Sequence, residues 1–286
     1  MIYILTAAIL LALILFVYRE SRTVTISEYD LTGKDIKAPV RFVMVSDLHD
    51  TDVTGDDNRK LLDMISGCDP DFVILSGDMV TSRCRKGHRF ENAYSFLEGL
   101  SRRHRVYYGL GNHEQRWRHS PEKHPGRYAE LCECIDLDGI TLLSDSYIDI
   151  EDKNIRIYGF DVPMEYYARG MRRQFPDGLI EGVFGKVADD RYNILLAHTP
   201  EHFREYVDFH PDLVLSGHLH GGVIGIPGIG GLISPQLKLF PKYASGKFEK
   251  EGTTMIVSRG IGWHSIPVRI FNPAEIVIIN IRPDIC

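Results

Sequence analysis

The sequence is poor in cysteine. It has five, Cys68, Cys84, Cys132, Cys134 and Cys286, an odd number with no C-x-x-C pair. That excludes a disulfide framework and a cysteine-built zinc module, and it favours a reducing compartment. Positive charge is not in excess either: 33 Lys+Arg stand against 39 Asp+Glu, a formal net charge of −6. This argues against a nucleic-acid partner held through a broad basic surface. Beyond Thr23 there is no low-complexity run, internal repeat or long Pro/Ser linker. With 44% hydrophobic and 25% charged residues, the composition is globular and excludes a mainly disordered chain. Its 286 residues allow one large domain or two ordinary ones.

One long apolar run breaks the pattern. Residues 2–18 read IYILTAAILLALILFVY, with Thr6 and two tyrosines as the only polar groups. At about 1.5 Å per residue this stretch spans roughly 25 Å, the short end for crossing a bilayer. No basic residue precedes it and no small-residue cleavage site follows it, so a retained anchor is favoured over a cleaved signal peptide. The alternatives are an uncleaved export signal and a buried core helix. Arg19, Arg22, Lys34, Lys37 and Arg41 follow the run, and the positive-inside tendency then places the soluble domain on the cytoplasmic side of the cell membrane. The expected organisation is a single-pass anchor at 1–22 and one catalytic domain at 23–286.

In that domain short apolar runs end repeatedly at polar or glycine residues. Residues 41–45, 72–75, 106–108, 193–197 and 213–215 are such runs and suit strands buried on both faces. Helix-like stretches at 57–66 and 89–100 separate the first three, giving a β-α-β-α-β order. From residue 140 the pattern turns strand-rich, at 140–143, 147–150, 155–160, 243–248, 253–258 and 275–281. The expected fold is α/β, with two sheets packed together and flanked by helices.

Chemistry-bearing residues stand where these strands end. Asp47 and His49 lie in SDLH, Asp78 in SGD, Asn112 and His113 in GNHE, His198 after ILLA, and His218 and His220 in GHLHGG. Asp47 and His49, two apart on what should be an extended segment, are expected to point to one side. Side chains at the carboxyl ends of neighbouring strands converge on one crevice. Carboxylates hold cationic charge and can bridge two ions, while imidazoles fix geometry. An isolated histidine on such a strand is usually a core or surface residue; five ordered motifs at strand ends are not explained that way.

Taken in order, D-x-H, G-D, G-N-H-E, a histidine after a strand and G-H-x-H resemble the calcineurin-like metallophosphoesterases, over residues 41–281. DPDFVILSGD, LLAHTP, LSGHLHGG and IGWHSIPVRIFNPAEI are most similar to the membrane-anchored bacterial branch. The resemblance implies a four-layer α/β/β/α sandwich of two mixed sheets and a pair of divalent metal ions. Carried over, one ion would take Asp47, His49, Asp78 and His220. The other would take Asp78, Asn112, His198 and His218, with Asp78 bridging. His113 matches the catalytic histidine, followed by Glu114, which either orients it or is a solvated surface group. Leu219 and Val223 depart from the family's usual Thr and Gln, at positions that are not ligands.

Such a site implies a phosphohydrolase in which hydroxide held between two cations attacks a phosphomonoester or phosphodiester, with His113 stabilising charge or protonating the leaving alkoxide. Mn, Fe and Zn all accept this donor set. Substrate candidates include lipid-linked and nucleotide esters, since related anchored enzymes cleave the pyrophosphate of UDP-diacylglucosamine. Met164, Tyr166, Tyr167, Met171 and Phe175 with Arg169, Arg172 and Arg173 form one candidate substrate lip, and residues 221–243 a second. Local packing and solvated arginines are the ordinary explanation of both. Trp263 and His264 are candidates for positions near the centre. Cys132 and Cys134, on an expected helix at 127–137, are read as packing. A non-catalytic metal-binding scaffold remains the alternative function, and nothing in the sequence identifies a protein partner.

Overall fold

The structure is a computed structural model, which describes residues 1–85, 87–137, 139–168, 173–222, 224–226, 230–233, 239–263 and 268–284. The first half runs α1 (Ile2–Ser21), β1 (Val24–Gly33), β2 (Val40–Val45), α2 (Arg59–Gly67), β3 (Phe72–Leu75), α3 (Glu91–Ser101), β4 (Val106–Gly109), α4 (Asn112–His119), α5 (Arg127–Leu137) and β5 (Thr141–Leu143). The second half runs β6 (Ser146–Ile150), β7 (Ile155–Gly159), α6 (Leu179–Phe184), β8 (Tyr192–Leu196), α7 (Phe203–Asp208) and β9 (Leu213–Ser216). It ends with β10 (Ile224–Ile226), β11 (Gly230–Ile233), β12 (Gly246–Lys250), β13 (Thr253–Val257) and β14 (Ala274–Pro283).

Two six-stranded sheets form, in the orders β1-β14-β2-β3-β4-β5 and β12-β13-β9-β8-β7-β6, with β10-β11 as a separate hairpin. Strands β2, β3, β4 and β5 are parallel, as are β13, β9, β8 and β7. Antiparallel pairs β14–β2, β12–β13 and β6–β7 make both sheets mixed.

Alternation along the central strands builds the layers. Phe42 and Met44 of β2 face the core between the sheets, while Val43 and Val45 face an outer core made with α2, α3 and α5. On β8, Ile194 and Leu196 face the shared core, whereas Leu195 faces an opposite outer core with α6 and α7. Three apolar cores separate four layers, and this is the α/β/β/α sandwich. Helix α5 has the expected limits.

Strand β1 was not among the expected strands. It alternates polar with apolar residues and lies at a sheet edge, paired with β14 over ten residues, so no continuous apolar run marks it. Strand β12 begins at Gly246 rather than at Tyr243. Helix α1 is long and apolar enough to cross a membrane, over Tyr3–Ser21. Ile4 and Ile14 are 76% and 63% exposed, which excludes the buried-core-helix alternative for this segment.

Candidate metal centre

Asp47 and His49 follow β2, Asp78 follows β3, Asn112 and His113 open α4 after β4, His198 follows β8, and His218 and His220 follow β9. Five parallel strands therefore deliver eight side chains to one place. The local conformation differs from the expected extended segment. Asp47, His49, Asp78, His218 and His220 have left-handed backbone, with φ of 57, 49, 56, 70 and 51°. Each such residue costs roughly 1–2 kcal/mol outside glycine. The loops offset this by zipping together: Asp47 N–H donates to Gly77 O (3.0 Å), His49 N–H to Asp78 O (3.1 Å) and Asp50 N–H to Met79 O (3.0 Å). The motif glycines supply room. A Cβ on Gly217 would stand 2.3 Å from Asp47 Oδ2, and one on Gly111 would stand 2.2 Å from Asp78 Oδ1.

The side chains meet. His49 Nε2 is 3.0 Å from His220 Nε2, and His220 Nε2 is 3.3 Å from Asp47 Oδ1. His198 Nε2 is 3.1 Å from Asp78 Oδ2. Asp47, His49 and His220 make one group whose ligand atoms lie within 4.8 Å of one another; Asp78, His198 and His218 make a second, and His49, Asp78 and His113 a third between them. Metal–ligand bonds of about 2.1 Å require neighbouring donors roughly 3.0–3.4 Å apart in octahedral or tetrahedral geometry, and these separations match. Asn112 stands beside the second group, against His218. With its amide turned over, the nitrogen would donate to His218 Nδ1 at 2.8 Å and the oxygen would accept from Arg116 Nη1 at 3.1 Å. In the unturned orientation it is Oδ1 that faces His218 Nδ1.

Hydrogen bonds set the tautomers of the two central histidines. His198 Nδ1 lies 2.7 Å from Ser76 O and carries a proton there, so Nε2 is the nitrogen left to face Asp78. That Nε2 is buried and has no hydrogen-bond partner among the described residues, despite its nearness to Asp78. A metal ligand held by a backbone carbonyl looks like this. His113 is the opposite case. Ser82 N–H donates to its Nδ1 at 2.7 Å, so the proton sits on Nε2, 3.9 Å from Asp78 Oδ2. His113 is thus a donor facing the centre rather than a lone pair.

Charge is concentrated here. Burial pushes Asp47 up to about 6, against the opposing pull of His198. Asp78 is held well below the usual carboxylate range, because His198, His113 and His49 outweigh its burial. Burial works to lower His198, yet Asp78 and Asp47 raise it to about 10. The two carboxylates demand positive charge at His198 Nε2, and a divalent cation supplies it in place of a proton. The donor set, the orphaned Nε2 and the separations all fit divalent metal.

Two buried residues outside the ligand set hold the loops. Glu114 is fully buried, which rules out the solvated surface group. It accepts from Asp78 N–H (3.0 Å), Gly111 N–H (3.0 Å), Val80 N–H (3.3 Å) and Tyr108 OH (2.8 Å). Burial first, then Asp78, raises it to about 7. Arg269 is also buried and donates to the carbonyls of Asn272 (3.2 Å), Arg259 (3.1 Å), Gly260 (2.9 Å) and Gly262 (2.6 Å). Asn272 in turn donates to His220 O (2.6 Å) and Gly222 O (2.5 Å). Sequence reasoning missed Ser82, Arg269 and Asn272; Arg269 and Asn272 lie inside the segment resembling the anchored branch, while nothing marks Ser82.

The first candidate lip is mostly packing. Phe175 is buried and stacks on His202 at 4.3 Å, and Tyr166 packs on Phe175 at 4.6 Å. Tyr167 reaches the centre, its ring 5.2 Å from that of His218. Arg173 is exposed. Arg169, Met171, Arg172, Val223 and His264 lie outside the described residues, as does much of 221–243. Trp263 turns its side chain away from the metal residues, and its Nε1–H donates to Ser21 O at 2.9 Å. Cys134 packs against an outer core.

The profile of the calcineurin-like phosphoesterases matches residues 40–222, which takes in every converging residue. An uncharacterized metallophosphoesterase of Helicobacter pylori is 28% identical over 85% of this chain and 60% of its own length. YkoQ of Bacillus subtilis, another uncharacterized metallophosphoesterase, is 22% identical over 98% of this chain and 100% of its own. A Danio rerio transmembrane protein with metallophosphoesterase domain is 25% identical over 85% of this chain and 53% of its own. The chain spans about 60% of the length of the Helicobacter relatives it matches. With more than half of its residues matched and the whole converging cluster inside the match, the chain belongs to the calcineurin-like phosphoesterase family.

Proposed function

We propose that the chain is a dinuclear metal phosphohydrolase acting on a phosphomonoester or phosphodiester, with residues 1–22 as its anchor and 23–286 as its catalytic domain. Asp47, His49, Asp78 and His220 would hold one divalent ion, and Asp78, Asn112, His198 and His218 the other. The observation that carries this reading is the pair of three-residue groups, each with donors inside 4.8 Å, beside a protonated His113 Nε2. Divalent ions, when bound, supply Lewis acidity toward the phosphoryl oxygens and toward a water. His113 donates from Nε2 to the charge that develops on phosphorus-bound oxygen or on the leaving alkoxide. Ser82 N–H keeps that ring from turning and fixes which nitrogen carries the proton.

The anchor places the substrate at or near a membrane, and a lipid-linked ester is the finer reading. The basic residues after the span support the cytoplasmic side. A scaffold without activity is the second reading, and retention of all the metal-type residues and His113 speaks against it.

Metal analysis of the full chain, together with hydrolysis of an aryl phosphate under Mn²⁺ and Zn²⁺, tests the proposal. Two ions per chain and turnover are expected. His113→Ala should keep the metals and lose roughly 10²–10⁴-fold in kcat, and Asp78→Ala should lose both. A wild-type chain with neither metal nor turnover overturns the reading, and unaltered turnover in His113→Ala removes that residue from it.

A further inference from the structure

We infer that Trp263 and Phe271, on the connection between β13 and β14, are immersed in the lipid bilayer beside the last turns of α1, so that the domain docks on the membrane surface through its own apolar side chains. The argument begins with length. The 20 residues of α1 measure about 30 Å, which equals the hydrocarbon thickness of a typical bilayer. Its apolar run, residues 2–18, is shorter than that, so the run lies wholly in the acyl layer while the last turn, with Arg19 and Glu20, stands at headgroup level. The domain follows at once, because α1 ends at Ser21 and β1 begins at Val24.

Yet the domain touches α1 well inside the span. The ring of Phe271 lies 5.3 Å from that of Phe16, which is five residues, or roughly 7–8 Å, before Ser21. Trp263 lines a groove of about 520 Å³ together with Leu13, Ile14, Val17 and Tyr18. Leu13 lies roughly 12 Å before Ser21 along the helix. If α1 spans, these domain residues lie at acyl-chain depth with it.

The chemistry suits that depth. Phe271 is 54% exposed, a position lipid favours and water does not. Trp263 Nε1–H donates to Ser21 O at 2.9 Å, and the Arg22 guanidinium lies over the rings of Tyr18 (5.3 Å) and Trp263 (5.8 Å). Tyr, Trp and Arg together mark a membrane–water interface. Two backbone groups beside them are paired, which suits lipid: Arg269 N–H donates to Ser21 Oγ at 3.0 Å, and Ile270 O accepts from Gly225 N–H at 2.8 Å. At this depth the groove is filled by acyl chains of the bilayer.

The docking reaches the metal centre through few atoms. Trp263 N–H donates to Thr51 Oγ1 at 3.3 Å. The preceding Gly262 N–H donates to Asp47 O at 2.8 Å, and Ile261 N–H to Ser46 O at 2.9 Å. Immersing Trp263 therefore sets the height of Asp47 above the acyl layer and holds the centre at headgroup level.

The chain has two tryptophans, and the other, Trp117, is 1% exposed in an outer core, so fluorescence can report on Trp263 alone. The full chain is reconstituted in phosphatidylcholine vesicles with or without bromine on the acyl chains, and titrated with iodide. In Trp117→Phe, bromolipid is expected to quench the remaining emission by more than half, with iodide almost without effect. Should that variant misfold, the same quenching present in the wild type and lost in Trp263→Phe gives the result. Phe271→Trp in the Trp263→Phe background should also be quenched by bromolipid. Quenching of Trp263 by iodide but not bromolipid overturns the inference in favour of a water-exposed face. Quenching by neither overturns it in favour of a protein cover, and failure of α1 to insert overturns it outright.

Discussion

The two flanks of the centre are held by buried residues of opposite charge. On the flank built from SGD and GNHE, the Glu114 carboxylate gathers three backbone N–H groups and a tyrosine hydroxyl. On the flank next to His218 and His220, the Arg269 guanidinium gathers four backbone carbonyls. Among the described residues neither makes an ion pair within 4 Å. A carboxylate is an acceptor only and a guanidinium a donor only, so each is matched to the backbone groups its loops leave over. Loops that bend to aim ligands leave their own polar groups unpaired, and a buried charge with several partners can satisfy many at once. The surplus is N–H on one side and C=O on the other.

The largest expected effect comes from removing the cation. Arg269→Met would leave four buried carbonyls without their donor, at about 1–3 kcal/mol each. A loss on the order of 5 kcal/mol approaches the whole stability of a typical domain, so the variant should unfold at much lower denaturant or fail to fold. Arg269→Lys keeps the charge with three donors instead of five and should fall between. Denaturant midpoints of the full chain measure this; a cost under about 1 kcal/mol for Arg269→Met would show that the carbonyls find other partners and break the comparison.

How far each flank was legible in the sequence follows from the same difference. Asp47, Asp78, His198 and the GHLH pair could be read because each is a metal-type side chain at the end of an apolar run. Glu114 was visible, inside GNHE, but its role was not, since its partners Asp78, Val80 and Tyr108 come from other loops. Arg269 lies far beyond the last histidine of the cluster, and a lone arginine there carries no local signal of burial. The backbone conformation was the other loss. An extended SDLH fitted the strand before it, but hydrogen bonds from Asp47 and His49 to Gly77 and Asp78 impose left-handed turns that no neighbour in sequence dictates. The sheets, by contrast, follow from apolar runs alone, except β1, whose alternating edge pattern hides it.

Glu114→Gln sharpens the comparison by changing charge without shape. Its carbonyl oxygen can still accept from Tyr108 and Val80, but its amide nitrogen would then face the N–H groups of Asp78 and Gly111, donor against donor. A cost of about 2–3 kcal/mol is expected. Loosening Asp78 and Asn112 should weaken metal binding roughly 10–100-fold in the group formed by Asp78, His198 and His218. The other ion shares Asp78 but also takes Asp47, His49 and His220, held from the Arg269 flank, and should be weakened less. Titration of the full chain with Mn²⁺ separates the two affinities; equal weakening of both groups would show that the flanks are not independent.

The smallest effect is expected at a buried carboxylate outside the centre, and it should have the opposite sign. Asp161 has a counter-ion, Arg118 at 2.8 Å, and accepts from Ser144 Oγ at 2.5 Å, but its Oδ1 is buried with no hydrogen-bond partner among the described residues. Burial raises it from the usual 3.8 to about 7, against the pull of Ser144 and Arg118. A carboxyl with a raised folded value holds its proton more tightly in the folded chain. Its contribution is full below about 4 and declines as pH climbs toward 7. Asp161→Asn removes that slope. It should match the wild type near pH 4–5 and exceed it by a margin that grows toward pH 8, since the neutral amide keeps an acceptor for Arg118 and Ser144 and leaves only a neutral group unpaired. Thermal unfolding between pH 5 and 8 measures it. At pH 8, then, neutralising Glu114 should destabilise and neutralising Asp161 should stabilise. The same sign at both sites would mean that gathered backbone donors are not what keeps Glu114 in place.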